Sequence, residues 1–144
     1  MSSLLLEIAD TVTADLNAGG FSRSFTAVRR LLPRRELTEL GTDVLVTVVP
    51  KSIEVATASR AHNQHDCQVD IAVQRKVASA EDEALDWLME LTQQIADHFR
   101  LRTLDSFPAA CWIKTEYPAV YAPEHLENHL VFTGLVTLTF RLLQ

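Results

Sequence analysis

The chain has 144 residues, the size of one ordinary domain, so a single domain over 1–144 is expected. Hydrophobic residues make up 47% and charged ones 22%, with 4 glycines and 5 prolines, which permits a buried core and excludes a disordered, collagen-like or repeat-built protein. A formal charge of −6 and a pI near 5.3 argue against a protein that works by gripping nucleic-acid phosphates, because that needs a basic footprint.

Met-Ser-Ser-Leu-Leu-Leu-Glu opens without a basic leader or a long apolar stretch, so cytoplasmic synthesis is the expectation. Leu5, Ile8, Val12 and Leu16 fall on one stripe of a helix over 3–17, with Ser3 as N-cap and Gly19-Gly20 as the stop. From Phe21 to Leu31 the residues suit a half-exposed strand, and Leu32 to Glu36 a connector. Val44 to Val49 is rich in β-branched residues and reads as a buried strand closed by Pro50. That run is far too short for the roughly 20 apolar residues of a membrane helix. Ile53, Val55 and Thr57 alternate in a next strand, Ser59 to Asp66 is a polar tip, and Cys67, Val69, Ile71 and Val73 alternate in the returning strand. The pair makes a long hairpin.

Ser79 and Asp82 resemble a capping box, and Glu81, Asp82 and Glu83 crowd a first turn where the helix dipole favours acids. The helix stripe is Leu85, Leu88, Thr92, Ile95 and Phe99, with His98, Arg100 and Arg102 at its C-terminal end. A short strand over 109–116 contains Trp112, and Tyr117 to His129 reads as an irregular connection. Phe132, Val136, Leu138, Phe140 and Leu142 give a terminal strand with one apolar face. The order α-β-β-β-β-α-β-β predicts an α+β domain, a largely antiparallel sheet with a long β-hairpin and two helices packed on one face. Its opposite face, with Asp70 and Thr139, is expected to matter little to stability.

His62-x-x-His65-Asp66-Cys67 gathers zinc-binding residue types, but a hairpin tip is polar because it is solvated, and no glycine eases the bend that a tetrahedral site needs. Cys67 and Cys111 are the only cysteines and fit a reducing compartment. His125-Leu-Glu-Asn-His129 misplaces Glu127 for a metalloprotease base. With no nucleophile elbow, phosphate loop or Cys-x-x-Cys, no catalytic residue, metal or cofactor is assigned. Charge is more informative. Arg23, Arg29, Arg30, Arg34 and Arg35 precede any acid before Glu36, while Glu81, Asp82, Glu83, Asp86, Glu90 and Asp97 share the second helix without a lysine or arginine. This is either an ordinary solvated pattern or a head-to-tail interface in which one subunit's Arg23, Arg29, Arg30, Arg34 and Arg35 meet Glu83, Asp86 and Glu90 of the next. His62, His65 and Asp66 at the tip are then contacts to a neighbour.

Three stretches together carry a resemblance: Val69-Asp-Ile-Ala-Val-Gln-Arg-Lys76 leading to Leu85-Asp-Trp-Leu88, the Pro118 to Pro123 connection with Tyr121, and His125-Leu126 through Val131-Phe132-Thr133 to Leu138-Thr-Phe-Arg141. In their order and spacing the chain resembles the head-to-tail joining proteins of tailed bacteriophages, most closely the tail terminators, over residues 44–144 and more weakly before them. The resemblance implies a homo-oligomeric, hexameric ring on the head-proximal end of the tail tube. The ring would stop tube polymerisation, dock to the head connector or stopper protein, and let double-stranded DNA pass through its lumen without specific binding. Such a protein is no enzyme, takes no cofactor, contacts no membrane and resides in the virion. The alternatives are another neck protein, such as a stopper or tube-like subunit, and a small cytoplasmic domain that binds a metal through His62, His65, Asp66 or Cys67 or a ligand near Trp87 and Trp112.

Overall fold

The computed structural model describes residues 3–31, 43–79, 83–104, 107–119 and 130–143. The stripe at the N-terminus forms helix α1, Leu4–Ala18, which buries Ile8, Ala9, Val12 and Leu16. Ser3 precedes it with extended backbone, its carbonyl accepting the Glu7 N–H at 2.9 Å while its side chain makes no cap bond. The expected strand from Phe21 shrinks to β1, Thr26–Arg29. Phe21 and Phe25 belong instead to the helix layer, their rings 5.3 Å apart and Phe21 the same distance from His98.

Two expected strands are one. β2 runs unbroken over Leu45–Thr57, and Pro50, expected to close it, sits at a register shift between Pro50 and Ser52. Proline, lacking an N–H, is tolerated at a bulge or on an edge strand, and β2 has become an edge there because β1 stops opposite Val48. β3 is Asn63–Lys76, so the turn is confined to 58–62 and His65 and Asp66 lie in a strand rather than at the tip. Helix α2 spans Ala84–Phe99 and buries Leu88, Leu91, Thr92, Ile95 and Phe99. Its N-cap is Glu83, without a side-chain cap bond; Ser79 lies farther upstream, and Asp82 and Glu81 fall outside the described residues. Beyond α2, the unforeseen two-residue β4, Thr103–Leu104, precedes β5, Phe107–Ala119, which carries the expected short strand on through Tyr117 and Pro118. β6 is Val131–Leu143.

Among the described residues, six strands form one sheet in the order β1-β2-β3-β6-β5-β4, antiparallel except for the β1–β2 pair. Both helices cover one face of this α+β fold: α1 packs on β1, β2 and β3 and reaches β4 and β5, and α2 crosses β6. The register sorts the side chains. Cys67, Val69, Ile71 and Val73 of β3 stand beside Phe140, Leu138, Val136 and Gly134 of β6 and face the helices. All the side chains in these two rows are fully buried. At Gly134 a Cβ would come within 3.0 Å of the Thr92 hydroxyl and 3.1 Å of the Phe132 ring, so the bare backbone is what lets α2 lie this close.

The opposite face, expected to matter little to stability, is itself buried in part. Thr47, Gln74 and Thr137 are at most 1% exposed and Thr139 is 5% exposed. Thr137 donates its O–H to Asp70 at 2.6 Å, and Lys51 stands 3.9 Å from the same carboxylate. Among the described residues no helix is long and apolar enough to cross a membrane.

Candidate functional site

The arginine segment folds back on its own chain. Arg23 lies over the Trp87 ring of α2, 4.3 Å from its centroid, and Arg75 stands 5.1 Å from the same ring. The Arg29 Nε–H donates to Asp10 of α1, an ion pair whose two side chains are partly exposed. Arg30 gives its backbone N–H to the Val48 carbonyl, and its Nε is buried without a hydrogen-bond partner. Arg34 and Arg35 lie outside the described residues. Glu83 and Asp86 occupy the start of α2, and Glu90, with Met89, Thr92, Gln93 and Tyr117, lines a cavity of about 440 Å³. Within one chain, then, Arg23 meets α2 through an indole, and among the described residues no ion pair links these arginines to Glu83, Asp86 or Glu90.

The histidine cluster is pulled apart by strand alternation. His62 stays in the turn, where its carbonyl accepts the N–H groups of Ala58 and Ser59 and its own N–H donates to the Ser59 hydroxyl at 3.2 Å. His65 and Cys67 point to the helix-bearing side of β3, the His65 Nδ1 being buried without a partner. Burial pushes the Cys67 thiol up to about 11, with the Asp66 charge adding to the effect, so it is neither a thiolate nor a ready ligand near neutrality. Asp66 points to the other face. There its carboxylate accepts from Arg141 Nε at 2.9 Å and Arg141 Nη2 at 3.1 Å. Those hydrogen bonds from Arg141, outweighing partial burial, hold the Asp66 carboxyl below the usual aspartate value. The four residues do not converge, and no group of three metal-ligating side chains occurs among the described residues. Asp66, Arg141, Glu54, Lys114 and Thr139 instead line a polar cavity of about 330 Å³ on the far face.

What the structure adds is the outer half of the hairpin. β2 from Lys51 to Thr57 is exposed on both faces, including Ile53 at 43% and Val55 at 54%. β1 covers β2 only from Leu45 to Val48, and past that point its N–H and C=O groups have no strand on that side among the described residues. On the opposite flank, β4 meets β5 only near Phe107 and Cys111, leaving 113–119 with no strand on that side among the described residues. The Ile53-Glu54-Val55 alternation predicts a strand, but the same alternation serves buried and exposed strands, so it could not announce an open one.

Comparison with protein-family models yields no match, and comparison with curated proteins yields none.

Proposed function

We propose that the chain is a ring-forming structural subunit of the neck of a tailed bacteriophage, working by occupying an end rather than by catalysis. More particularly, it is a tail terminator: a hexamer in the virion that caps the head-proximal end of the tail tube, docks to the head connector or stopper, and lets double-stranded DNA through. The observation that carries this reading is the hairpin of β2 and β3. Its outer half is exposed, with two apolar side chains, Ile53 and Val55, side by side on one face of an edge strand, a surface that suits contact with a neighbour. A net charge of −6 supports it further, since a basic lumen would retain phosphates and retard passage of DNA.

The test is assembly. The purified chain should show the light-scattering mass of a hexamer and ring particles in negative stain, and added to polymerising tail-tube subunits it should shorten the tubes and sit at one end. A monomer that leaves tube length unchanged overturns the reading; incorporation along the tube rather than at its end replaces the terminator with a tube-like subunit.

A further inference from the structure

We infer that the open edge of β2 beyond Pro50 takes the open edge of β5 from a second copy of this chain, so that the sheet runs on from subunit to subunit. The inference rests on the ring reading above and names its interface.

Direction is the first argument. β2 is antiparallel to β3, β3 to β6 and β6 to β5, so β5 runs opposite to β2. A neighbour in the same orientation, as cyclic symmetry requires, therefore presents β5 antiparallel to β2 and continues the sheet's own alternation. The two edges lie on opposite flanks of one sheet, so the contact is head to tail and can be repeated until it closes.

The short edge strands are the second. β1 occupies the base end of β2, up to Val48, and β4 occupies the hairpin-tip end of β5, at Phe107 and Cys111. They block opposite ends of the two flanks, so the open stretches lie alongside each other when the neighbour is shifted along the strands. The outer edge of β1 is itself closed at Ala27 by the Asn17 carboxamide, which accepts the Ala27 N–H at 2.7 Å and donates to its carbonyl at 3.0 Å. An open edge is a template for strand addition, and among the described residues no strand covers β2 from Ser52 to Thr57.

Charge sets the register. Glu54 and Ser52 project on the far face of β2, with Lys51 reaching Asp70 on that face from the bulge, and Lys114 and Glu116 project on the same face of β5. Antiparallel pairing of Glu54 with the neighbour's Lys114 puts Ser52 and Lys51 beside its Glu116, so both ends of the contact carry opposite charges. Lys114 and Glu116 are 3.4 Å apart within one chain and about half exposed, free to exchange partners. On the other face the same register lays Ile53 next to Thr115 and brings Val55 toward the half-buried Trp112. Glu54 aligns with Arg141 and Cys111 within its own subunit, so this pairing shifts each copy by about two residues along the strands, the stagger that tilted strands need to close a barrel-like ring.

The experiment places Glu54→Cys and Lys114→Cys together in a Cys111→Ser background, oxidises the native protein, and compares non-reducing gels with light-scattering mass. A ladder of cross-linked oligomers rising to the ring mass, absent from either single variant, is expected. Separately, Glu54→Lys and Lys114→Glu should each disperse the ring and their combination should restore it. Dimers from Glu54→Cys alone mean a two-fold β2–β2 contact and overturn the inference. No ladder from a protein that still has the ring mass overturns it too while leaving the ring reading standing; no ladder from a monomeric parent chain removes both.

Discussion

Asp66 and Arg141 face each other across β3 and β6, the Arg141 guanidinium giving the Asp66 carboxylate two hydrogen bonds, at 2.9 and 3.1 Å. The pair joins the middle of the hairpin's outer half to the C-terminal strand. Because the folded chain holds the Asp66 carboxyl below its ordinary value of 3.8, its contribution to stability is complete above that value and is lost as pH falls through the lower one. Asp66→Ala should therefore unfold at lower temperature than the parent near neutral pH, with the difference shrinking as the pH is lowered into strong acid. Thermal melts across acid pH check this; a difference that persists unchanged in strong acid means the loss was packing and not charge.

The far face supplies a pair of like substitutions with opposite expected signs. Thr137 donates to Asp70, so Thr137→Val leaves a carboxylate short of a donor and should destabilise by about 1–2 kcal/mol. Thr47 is fully buried and its hydroxyl has no partner, so Thr47→Val removes an unsatisfied group at nearly constant shape and should stabilise by about 1–2 kcal/mol. Denaturant unfolding of both variants decides it, and equal shifts in one direction sink the assignment of these two environments.

On the helix-bearing face, Phe140 lies fully buried with its ring edge-on to Phe99 at 6.1 Å, and Phe140→Ala should cost about 3–5 kcal/mol. Gly134→Ala adds a single methyl, yet it meets the Thr92 hydroxyl and the Phe132 ring and should cost about 1–3 kcal/mol through overpacking. Thr92→Ser in the Gly134→Ala background keeps a hydroxyl in place and should recover little, whereas Thr92→Ala should recover part of the loss. Equal recovery by both would point to the Phe132 ring as the limiting contact.

The elements most readable from sequence were those whose faces are decided by burial. The alternations of Cys67 to Val73 and of Phe132 to Leu142, and the stripe of α2, all point as their periods require, because a buried face leaves a strong pattern. What failed to show is set by partners in space. Pro50 reads as a stop only if β2 has neighbours on both sides, and β1 leaves it with one. Phe21 and Phe25, four apart on an apparently alternating segment, are drawn to the helices. His65 and Asp66 look like turn residues because they are polar, although carrying the odd-even pattern of Cys67 and Val69 back two residues would have placed them in β3. The hairpin itself was visible as two strands around a polar turn; its open edges were not, since exposure of a strand edge depends on where another strand happens to end.

Arg29 gives a direct test of whether the arginine segment serves its own chain or the next one. In one subunit it is paired with Asp10, both side chains partly exposed, a contact worth about 0.2–1 kcal/mol. If that is its role, Arg29→Glu should lower monomer stability by about this amount through loss of the pair and like-charge repulsion, and Asp10→Arg should restore it by reversing the pair. Glu83→Lys or Asp86→Lys should not. If Arg29 instead meets the acidic start of α2 in a neighbouring subunit, the charge reversal should disperse oligomers, and Glu83→Lys with Asp86→Lys should bring them back while Asp10→Arg does not. Unfolding curves read the first alternative and light-scattering mass the second, and running both at low and high salt separates charge from packing, because exposed ion pairs weaken as screening rises.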